Sequence, residues 1–447
     1  MNRSSLIGHV VELVEAIDKN SQPADRITSD FFRTRKYLGS HDRRFISESV
    51  FGMIRHRRFI EALLEQYIVS NPNAEDLDSP HNRYLPLFVA YSLVAENHFE
   101  GKDKEASAIL PEIFWRTYFP KIDLQPFVQW VGTNKTLDFP EHDRIVQLGV
   151  KYSFQDWMVK EWYEQVGEEI EELLQSFNSP ATVTLRVNLL KTSRDECQQR
   201  LRDDGIETEK TLLSPSGLVA RKRFNLQSSK TFQDGWFELQ DEGSQLISLI
   251  VNPQPGDIVI DACAGAGGKS LHLAELMHDQ GEIIAIDVEK RRLSELHNRA
   301  ERGGIQCIKP HPRDEIQPEG FFGKADIVLV DAPCTGVGTI RRNPGFKWSV
   351  TESLVNHYAD VQKAILAFNA PFVKLNGKLM YTTCSLFRKE NEDVIQSFLA
   401  AHPEYQIMKP EEEIERYGLQ MDSSFLKLFP HRHRTDGFFV TAMKRIC

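Results

Sequence analysis

The 447-residue chain has few cysteines, no long apolar run and no excess of positive charge. Its six cysteines, at 197, 263, 307, 334, 384 and 447, include no two within four residues of each other. That spacing excludes C-x-x-C redox pairs and the usual zinc clusters, and it favours reduced thiols in a reducing compartment. No apolar run approaches the roughly 18 residues a membrane helix needs. Glu12, Glu15 and Asp18 stand where a signal peptide would be apolar. The expectation is a cytoplasmic, monomeric protein with no membrane and no metal partner. Its 54 basic and 64 acidic residues give a net charge of −10. Bulk electrostatics therefore argue against a protein that coats nucleic acid, but a local basic face stays open. Internal repeats and low-complexity tracts are also missing. What remains is ordinary globular composition, 41% hydrophobic and 26% charged, with room for two or three domains and cores that need no staples.

The first ~145 residues carry helical signals. Leu6, Val10, Leu13 and Ile17 recur at helical spacing, and apolar patches follow in 45–68 and 84–95. Between 33 and 58, Arg33, Arg35, Lys36, Arg43, Arg44, Arg55, Arg57 and Arg58 face only Asp42 and Glu48, a net of +6. A charge run of this kind is more often a solvated helix face than a nucleic-acid contact. A single acidic helix is expected over 158–175, with Trp162, Val166, Ile170 and Leu174 as its buried stripe. Residues 181–235 read as a small α/β module. From Gly256 onward strands and helices alternate, which predicts a parallel, doubly wound sheet.

Ile258–Ile260 is a short apolar strand leading into Asp261-Ala-Cys263-Ala264-Gly265-Ala266-Gly267-Gly268-Lys269-Ser270 and then a helical run. Strand, glycine-rich turn and helix together let backbone N–H groups approach a ligand closely. Two nucleotide readings compete. Gly268-Lys269-Ser270 resembles the end of a P-loop, but that motif requires glycine at 263, where cysteine stands. The other reading is an adenosine-type cofactor held by carboxylates. Asp287 ends a second strand, 26 residues after Asp261, and can accept hydrogen bonds from ribose hydroxyls. The competing reading of Asp287 is a simple helix N-cap.

Two further strands end at Asp331-Ala-Pro333-Cys334 and at Thr382-Thr383-Cys384-Ser385. Parallel strands point the same way, so Asp261, Asp287, Asp331 and Cys384 should meet on one sheet edge, where ligands bind in open α/β folds. Cys197, Cys307 and Cys447 read as small hydrophobes. Cys334 and Cys384 differ, since each follows a strand in a Pro, Thr, Ser or Gly context. A thiolate beside a methyl donor suits cytosine chemistry: addition at C6 makes C5 enamine-like and able to accept a methyl group. An acid at N3 assists, and Asp331 is placed for that role.

These motifs resemble those of the RNA cytosine-5 methyltransferases of the Nop2/Sun (RsmB-like) family. The residues carrying the likeness are Asp331 to Trp348, Tyr381-Thr-Thr-Cys384-Ser-Leu with Glu390-Asn391-Glu392, Asp436-Gly437-Phe438-Phe439, Arg186-Val-Asn188-Leu-Leu-Lys191, and Gln240-Asp241-Glu-Gly-Ser244. As an ordered set they cover about 180–447. The resemblance implies a Rossmann-like α/β methyltransferase sheet over 236–447 and a small RRM-like α/β subdomain over 150–235. Over 1–145 it implies an all-α, NusB-like RNA-binding domain. It implies S-adenosyl-L-methionine as cofactor, with Cys384 as nucleophile and Cys334 assisting its release. Asp331 would contact cytosine and the methyl donor, and Lys269 would reach into the active site. Cys263, Ala264, Gly265, Ala266, Gly267, Gly268 and Lys269 would cradle the cofactor, with Asp287, Arg292 and Asp314 along its nucleoside. Many relatives read C-A-A-P-G-G-K where this chain has Cys263-Ala-Gly265-Ala266-Gly-Gly-Lys269. The implied partner is RNA, with 16S ribosomal RNA favoured and tRNA the alternative. A non-catalytic ribosome-assembly factor is a third class, against which intact Cys384, Cys334 and Asp331 speak.

Overall fold

A computed structural model describes residues 3–20, 22–80, 82–95, 123–134, 143–420 and 424–447. Contacts divide the chain into two compact units. One is Met1–Pro180 with Ile340–Val350; the other is Ala181–Thr339 with Thr351–Cys447.

The first unit is helical in its described residues; of the ~145 residues expected to be helical, 96–122 and 135–142 lie outside them. Helix Arg3–Asp18 buries Leu6, Val10 and Leu13, the stripe its sequence spells out. The expected single helix over 158–175 is two, Asp156–Val166 and Ile170–Asn178. Gly167, at φ +57°, breaks the run between them. The stripe survives the break: Trp162, Val166, Ile170 and Leu174 are all buried. The basic segment is largely spent on internal pairs. Arg57 bridges Asp18 and Glu61, Arg58 binds Asp156, and Arg35 binds Glu12. The exposed Arg33 and Arg44 pair with acids on their own helices.

The eleven residues Ile340–Val350 belong to this unit by contact, although the chain on both sides belongs to the other. Lys347 is fully buried, and its ammonium donates to Arg55 O at 2.9 Å, Tyr152 O at 3.2 Å and Asn178 Oδ1 at 2.5 Å. It also sits 3.7 Å from the centre of the Phe154 ring. Burial pulls its pKa well below the ordinary lysine value. Trp348 Nε1 donates to Ile54 O at 2.7 Å. Compactness divides the chain after Pro180, where the residues themselves read as the start of the small α/β module.

The second unit contains two sheets. The small one holds β1 (Val183–Val187), β2 (Thr208–Lys210), β3 (Gly217–Ala220) and β4 (Phe237–Leu239), ordered β2-β3-β1-β4 and fully antiparallel. Helices Arg194–Asp203 and Lys230–Gln233 complete a β-α-β-β-α-β order. Ser193 and Glu196 form a capping box that starts the first helix. Period-two alternation sends Leu185, Val187 and Phe237 into a private core with Cys197, Leu201 and Leu218. Burial pushes the Cys197 thiol up to about 12, in keeping with a packing role. Cys307 packs likewise, whereas Cys447 is exposed and not the packed hydrophobe expected.

The large sheet runs β5 (Ile258–Asp261), β6 (Glu282–Asp287), β7 (Ile308–Pro312), β8 (Ala325–Asp331), β9 (Val373–Thr383), β10 (Tyr405–Met408), β11 (Leu426–Leu428) and β12 (Phe438–Arg445). Its order is β10-β12-β9-β8-β5-β6-β7, with β11 against β12. The strands from β7 to β9 are parallel, as the alternating pattern predicts. The edge is not: β12 runs antiparallel to both β9 and β10. Helices Glu392–Ala401, Glu411–Arg416 and Pro430–His433 still alternate with these strands, so alternation alone does not decide strand direction there. No described helix is long and apolar enough to cross a membrane.

The other face of the small sheet docks onto the large domain. Arg186 on β1 lies opposite Glu238 on β4. The Arg186 guanidinium is fully buried; it bonds both oxygens of Glu275 and donates to Gly268 O at 2.8 Å and to Gln240. Glu238 takes Arg299 and Arg302. Asn188 Nδ2 and Lys191 Nζ donate to Gly303 O and Arg302 O at 2.9 and 2.7 Å, capping helix Lys290–Gly303. The face on which an RRM stacks bases is therefore used inside the molecule.

Replacing Arg186 by Met should cost about 3–5 kcal/mol, because it strands the buried Glu275 carboxylate. Chemical denaturation of Arg186→Met, Glu275→Met and the double variant checks this. The double variant should recover most of the loss.

Candidate active site

The carboxyl ends of β5, β6, β8 and β9 deliver Asp261, Asp287, Asp331 and Cys384 to one edge of the sheet. A cavity of about 1000 Å³ opens there. Cys263, Ala264, Gly265, Ala266, Gly268 and Lys269 line one side; Asp287, Val288, Glu289 and Arg292 line another. Asp331 and Pro333 also line it, whereas Cys334 and Cys384 are not among its lining residues.

The glycine-rich turn is held by the acid across from it. Asp287 Oδ2 accepts from Gly265 N at 2.8 Å, while Oδ1 accepts from Glu289 N at 2.8 Å. Both readings of Asp287 are therefore realised: it caps the following turn and it walls the cavity. Each oxygen keeps a lone pair for a further donor. Gly265 has φ +54°, and a Cβ there would meet no atom of the chain within 4 Å, so the turn leaves open space beside it.

Lys269 is almost fully buried and donates to Asp331 Oδ2 at 2.6 Å. Burial disfavours its ammonium, but the Asp331 carboxylate more than offsets this, and the pKa rises above the usual lysine value. The ammonium also lies 5.6 Å from the centre of the Phe438 ring. Cys334 Sγ and Cys384 Sγ are 3.3 Å apart. The Cys334 thiol is pushed well above its ordinary value, first by its contact with the Cys384 sulfur and then by burial. Cys263 is different: burial and three nearby acids raise its thiol strongly, so it contributes wall and backbone but no nucleophile. Among the described residues no group of His, Cys, Asp or Glu could hold a metal ion.

The two cysteine loops are stitched together by the C-terminal signature. Gly338 N donates to Cys384 O and Gly437 N donates to Gly338 O, both at 2.8 Å. A Cβ at Gly338 would fall 2.1 Å from Gly437 O and 2.7 Å from Cys384 O, so only glycine allows that approach. Thr382 Oγ1 donates to Phe439 O at 2.7 Å. Asp241, the N-cap of helix Glu242–Val251, accepts from Asp436 N at 3.1 Å.

Two expected residues need comment. Arg292 lines the cavity and also pairs with Glu289 at 3.2 Å. Asp314 does not line it: its side chain is 70% exposed and lies 3.6 Å from Lys290. The short 3₁₀ turn Arg313–Glu315 points the preceding residue inward instead. Arg313 stacks 3.6 Å from the centre of the Phe368 ring. Tyr358, Val361, Ile365 and Phe368 form the facing wall from helix Glu352–Asn369. The only signal for them in the sequence is an amphipathic stripe, which reads equally well as core.

Comparison with known proteins fits this geometry. A family model described as 16S rRNA methyltransferase RsmB/F matches residues 248–444. An RsmF/B-like methyltransferase ferredoxin-like domain matches 154–227. A Synechocystis protein named "Probable ribosomal RNA small subunit methyltransferase B" is 34% identical over 430 residues, covering 91% of this chain and 92% of its own. The chain belongs to the RsmB/F family of RNA methyltransferases. A Bacillus subtilis relative of the same name is 34% identical over 311 residues, 68% of this chain and 69% of that one. Among solved structures, a methyltransferase homologue from Pyrococcus horikoshii is 25% identical with TM-score 0.58, covering 68% of this chain and all of its own. Another crystal structure, 26% identical, matches with TM-score 0.74 across all of this chain and 99% of its own. Membership in the RsmB/F family accounts for the β-α-β-β-α-β module and the Rossmann-like sheet together.

Beneath the cradle, burial pushes Asp261 up to about 6, the Ser270 hydroxyl opposes this, and Asp331 adds to it. A raised carboxylate favours the protonated form in the fold. Its contribution is therefore complete at low pH and is lost as pH climbs from about 4 through 6, by roughly 3 kcal/mol. Asp261→Asn should flatten that part of the stability profile. Thermal melts between pH 4 and 8 should show the variant gaining on the native chain as pH rises.

Proposed function

We propose that this chain is an S-adenosylmethionine-dependent cytosine-5 methyltransferase acting on small-subunit ribosomal RNA. The observation that supports it most is the pair of thiols 3.3 Å apart at adjacent strand ends, beside the Lys269–Asp331 pair. A second thiol within contact of the nucleophilic sulfur can assist the step in which the carbon–sulfur bond breaks.

The cavity suits the cofactor. Asp287 retains acceptor capacity for ribose hydroxyls, the Gly265 turn leaves room for close approach, and Val288, Ile365 and Phe368 give an apolar wall for an adenine ring. Arg292 and Asp331 sit at its margins. When bound, S-adenosylmethionine supplies an electrophilic methyl group.

The chain's own residues do the rest. The Cys384 thiolate adds to cytosine C6, forming a carbon–sulfur bond and pushing the ring electrons toward C5 and N3. Lys269 and Asp331 form a polar edge that receives that charge by hydrogen bonding or proton transfer. C5 takes up the methyl group and then loses its proton to a base. The electron pair returns through the ring, the carbon–sulfur bond breaks, and Cys384 leaves as thiolate. Cys334, 3.3 Å from the Cys384 sulfur, is placed to donate its thiol proton to the departing thiolate. Target access requires an unpaired or flipped cytosine. RNA recruitment falls to the helical unit and to local basic surface, and with a net charge of −10 binding should weaken steeply with salt.

Cys384→Ala should abolish methylation while S-adenosylmethionine binding, followed by calorimetry, persists. Cys334→Ala should accumulate an RNase-sensitive covalent species on denaturing gels with cellular RNA and cofactor. That species should vanish in the double variant. An active Cys384→Ala together with no adduct from Cys334→Ala would reverse or remove the assignment.

A further inference from the structure

Six residues after Cys384, Glu390 is fully buried and touches neither thiol, yet it reaches both of their loops. Its Oε1 accepts from Thr335 N at 2.8 Å and from Gln362 Nε2 at 3.2 Å. Its Oε2 accepts from the hydroxyls of Thr335 and Ser385, both at 2.5 Å. Thr335 follows Cys334 and Ser385 follows Cys384. One carboxylate therefore ties the residue after one thiol to the residue after the other.

The clamp continues on the other side of each cysteine. Gln362 Nε2 also donates to Pro333 O at 2.9 Å, so Cys334 is held from before and behind. Asn391 Oδ1 accepts from Thr383 Oγ1 at 2.6 Å, and its Nδ2 donates to Ser385 O at 2.9 Å, so Cys384 is held likewise. Tyr381 Oη donates to Glu390 O at 2.6 Å and fixes this segment to β9.

Four donors and no cation surround the Glu390 side chain in these contacts. Burial raises its pKa, so the carboxylate is held at a cost that an apolar residue would not incur. Only a carboxylate accepts at all four positions. A glutamine would turn an N–H₂ group toward donors on one side. A group kept at that cost, and joined to both loops, has its use in fixing where the loops stand.

We infer that Glu390 is a positioning residue that sets the separation of the two cysteine thiols and so governs release of the covalent RNA intermediate. This rests on the methyltransferase reading above for its catalytic consequence, but not for its geometric one. Addition needs only Cys384 in place. Release needs Cys334 within reach of the sulfur that is leaving, so loosening the clamp should hit release harder.

The test uses the full chain and Glu390→Gln. Diamide, which takes up two hydrogens as a thiol pair becomes a disulfide, reports thiol proximity without any substrate. Mass spectrometry follows formation of the Cys334–Cys384 disulfide. The variant should form it more slowly than the native chain. With RNA and S-adenosylmethionine, turnover should fall by roughly 10²-fold, the cost of a displacement on the order of 1 Å. KM for S-adenosylmethionine should stay unchanged, and the Cys384–RNA adduct should build up. If the variant fails to fold, Thr335→Val and Ser385→Ala, each removing one hydroxyl arm, carry the test and should show smaller slowing in both assays. Native disulfide rates and native adduct-to-product ratios in the folded variants would overturn the inference. So would an activity loss accounted for by lowered cofactor affinity alone. If the native chain yields neither product nor adduct, the methyltransferase reading fails while the disulfide rates still decide the role of Glu390.

Discussion

β8 and β9 lie side by side and parallel, in a register that sets Asp331 opposite Thr382. Everything catalytic follows from that pairing. Parallel neighbours end at the same edge, so the loop carrying Cys334 and the loop carrying Cys384 emerge together. A slip of one residue would turn alternate side chains to the opposite face and part the sulfurs. The register is guarded on both sides: β12 pairs with β9 up to Thr383, and β5 pairs with β8 up to Leu329. The antiparallel edge, absent from a purely alternating pattern, thus contributes directly to the site. Through Gly437 and Phe439 it touches both cysteine loops.

A second theme is the number of charged groups taken out of water. Arg186, Glu275, Lys269, Asp261 and Glu390 are all buried. Arg186 and Glu275 compensate each other directly, and Lys269 does so with Asp331. None of this is cheap in free energy. Arg186, Lys269 and Glu390 each reach a backbone segment or side chain that lines the cavity or adjoins the thiol pair. Arg186 holds the carbonyl of Gly268, the first residue of the helix that follows the cradle. Asp261 accepts from Ser270 at 2.6 Å, two residues further on. Stability is given up where geometry must be exact, a pattern familiar from preorganised sites.

The sequence made much of this legible because the relevant signals are local. A strand that ends in Asp or Cys and then meets Gly or Pro announces its own turn, and Asp261, Asp287, Asp331 and Cys384 all stand where such turns put them. Signals that depend on distant partners were not legible. Arg57 and Arg58 read as part of a solvated basic face, and only the structure sets Asp18, Glu61 and Asp156 beside them. Asp314 and Arg313 are adjacent, and only the direction of a short turn decides which of them faces the cavity. Gly167 sits inside a helical stripe that continues across it, so periodicity alone runs the two helices into one. Glu390 belongs to a recognisable motif, but its four acceptor contacts come from three separate stretches of chain.

The excursion of Ile340–Val350 has a consequence for how the molecule is made. Ribosomes deliver the chain from one end, and domains generally fold as they emerge. The first 180 residues of the helical unit are complete long before residue 347 appears. Until then Arg55 O, Tyr152 O and Asn178 Oδ1 surround a place that only a later part of the chain can fill. The strands that begin the catalytic sheet are synthesised in that interval. The helical unit, first in the sequence, is therefore finished only after the small sheet and β5 to β8 have been made.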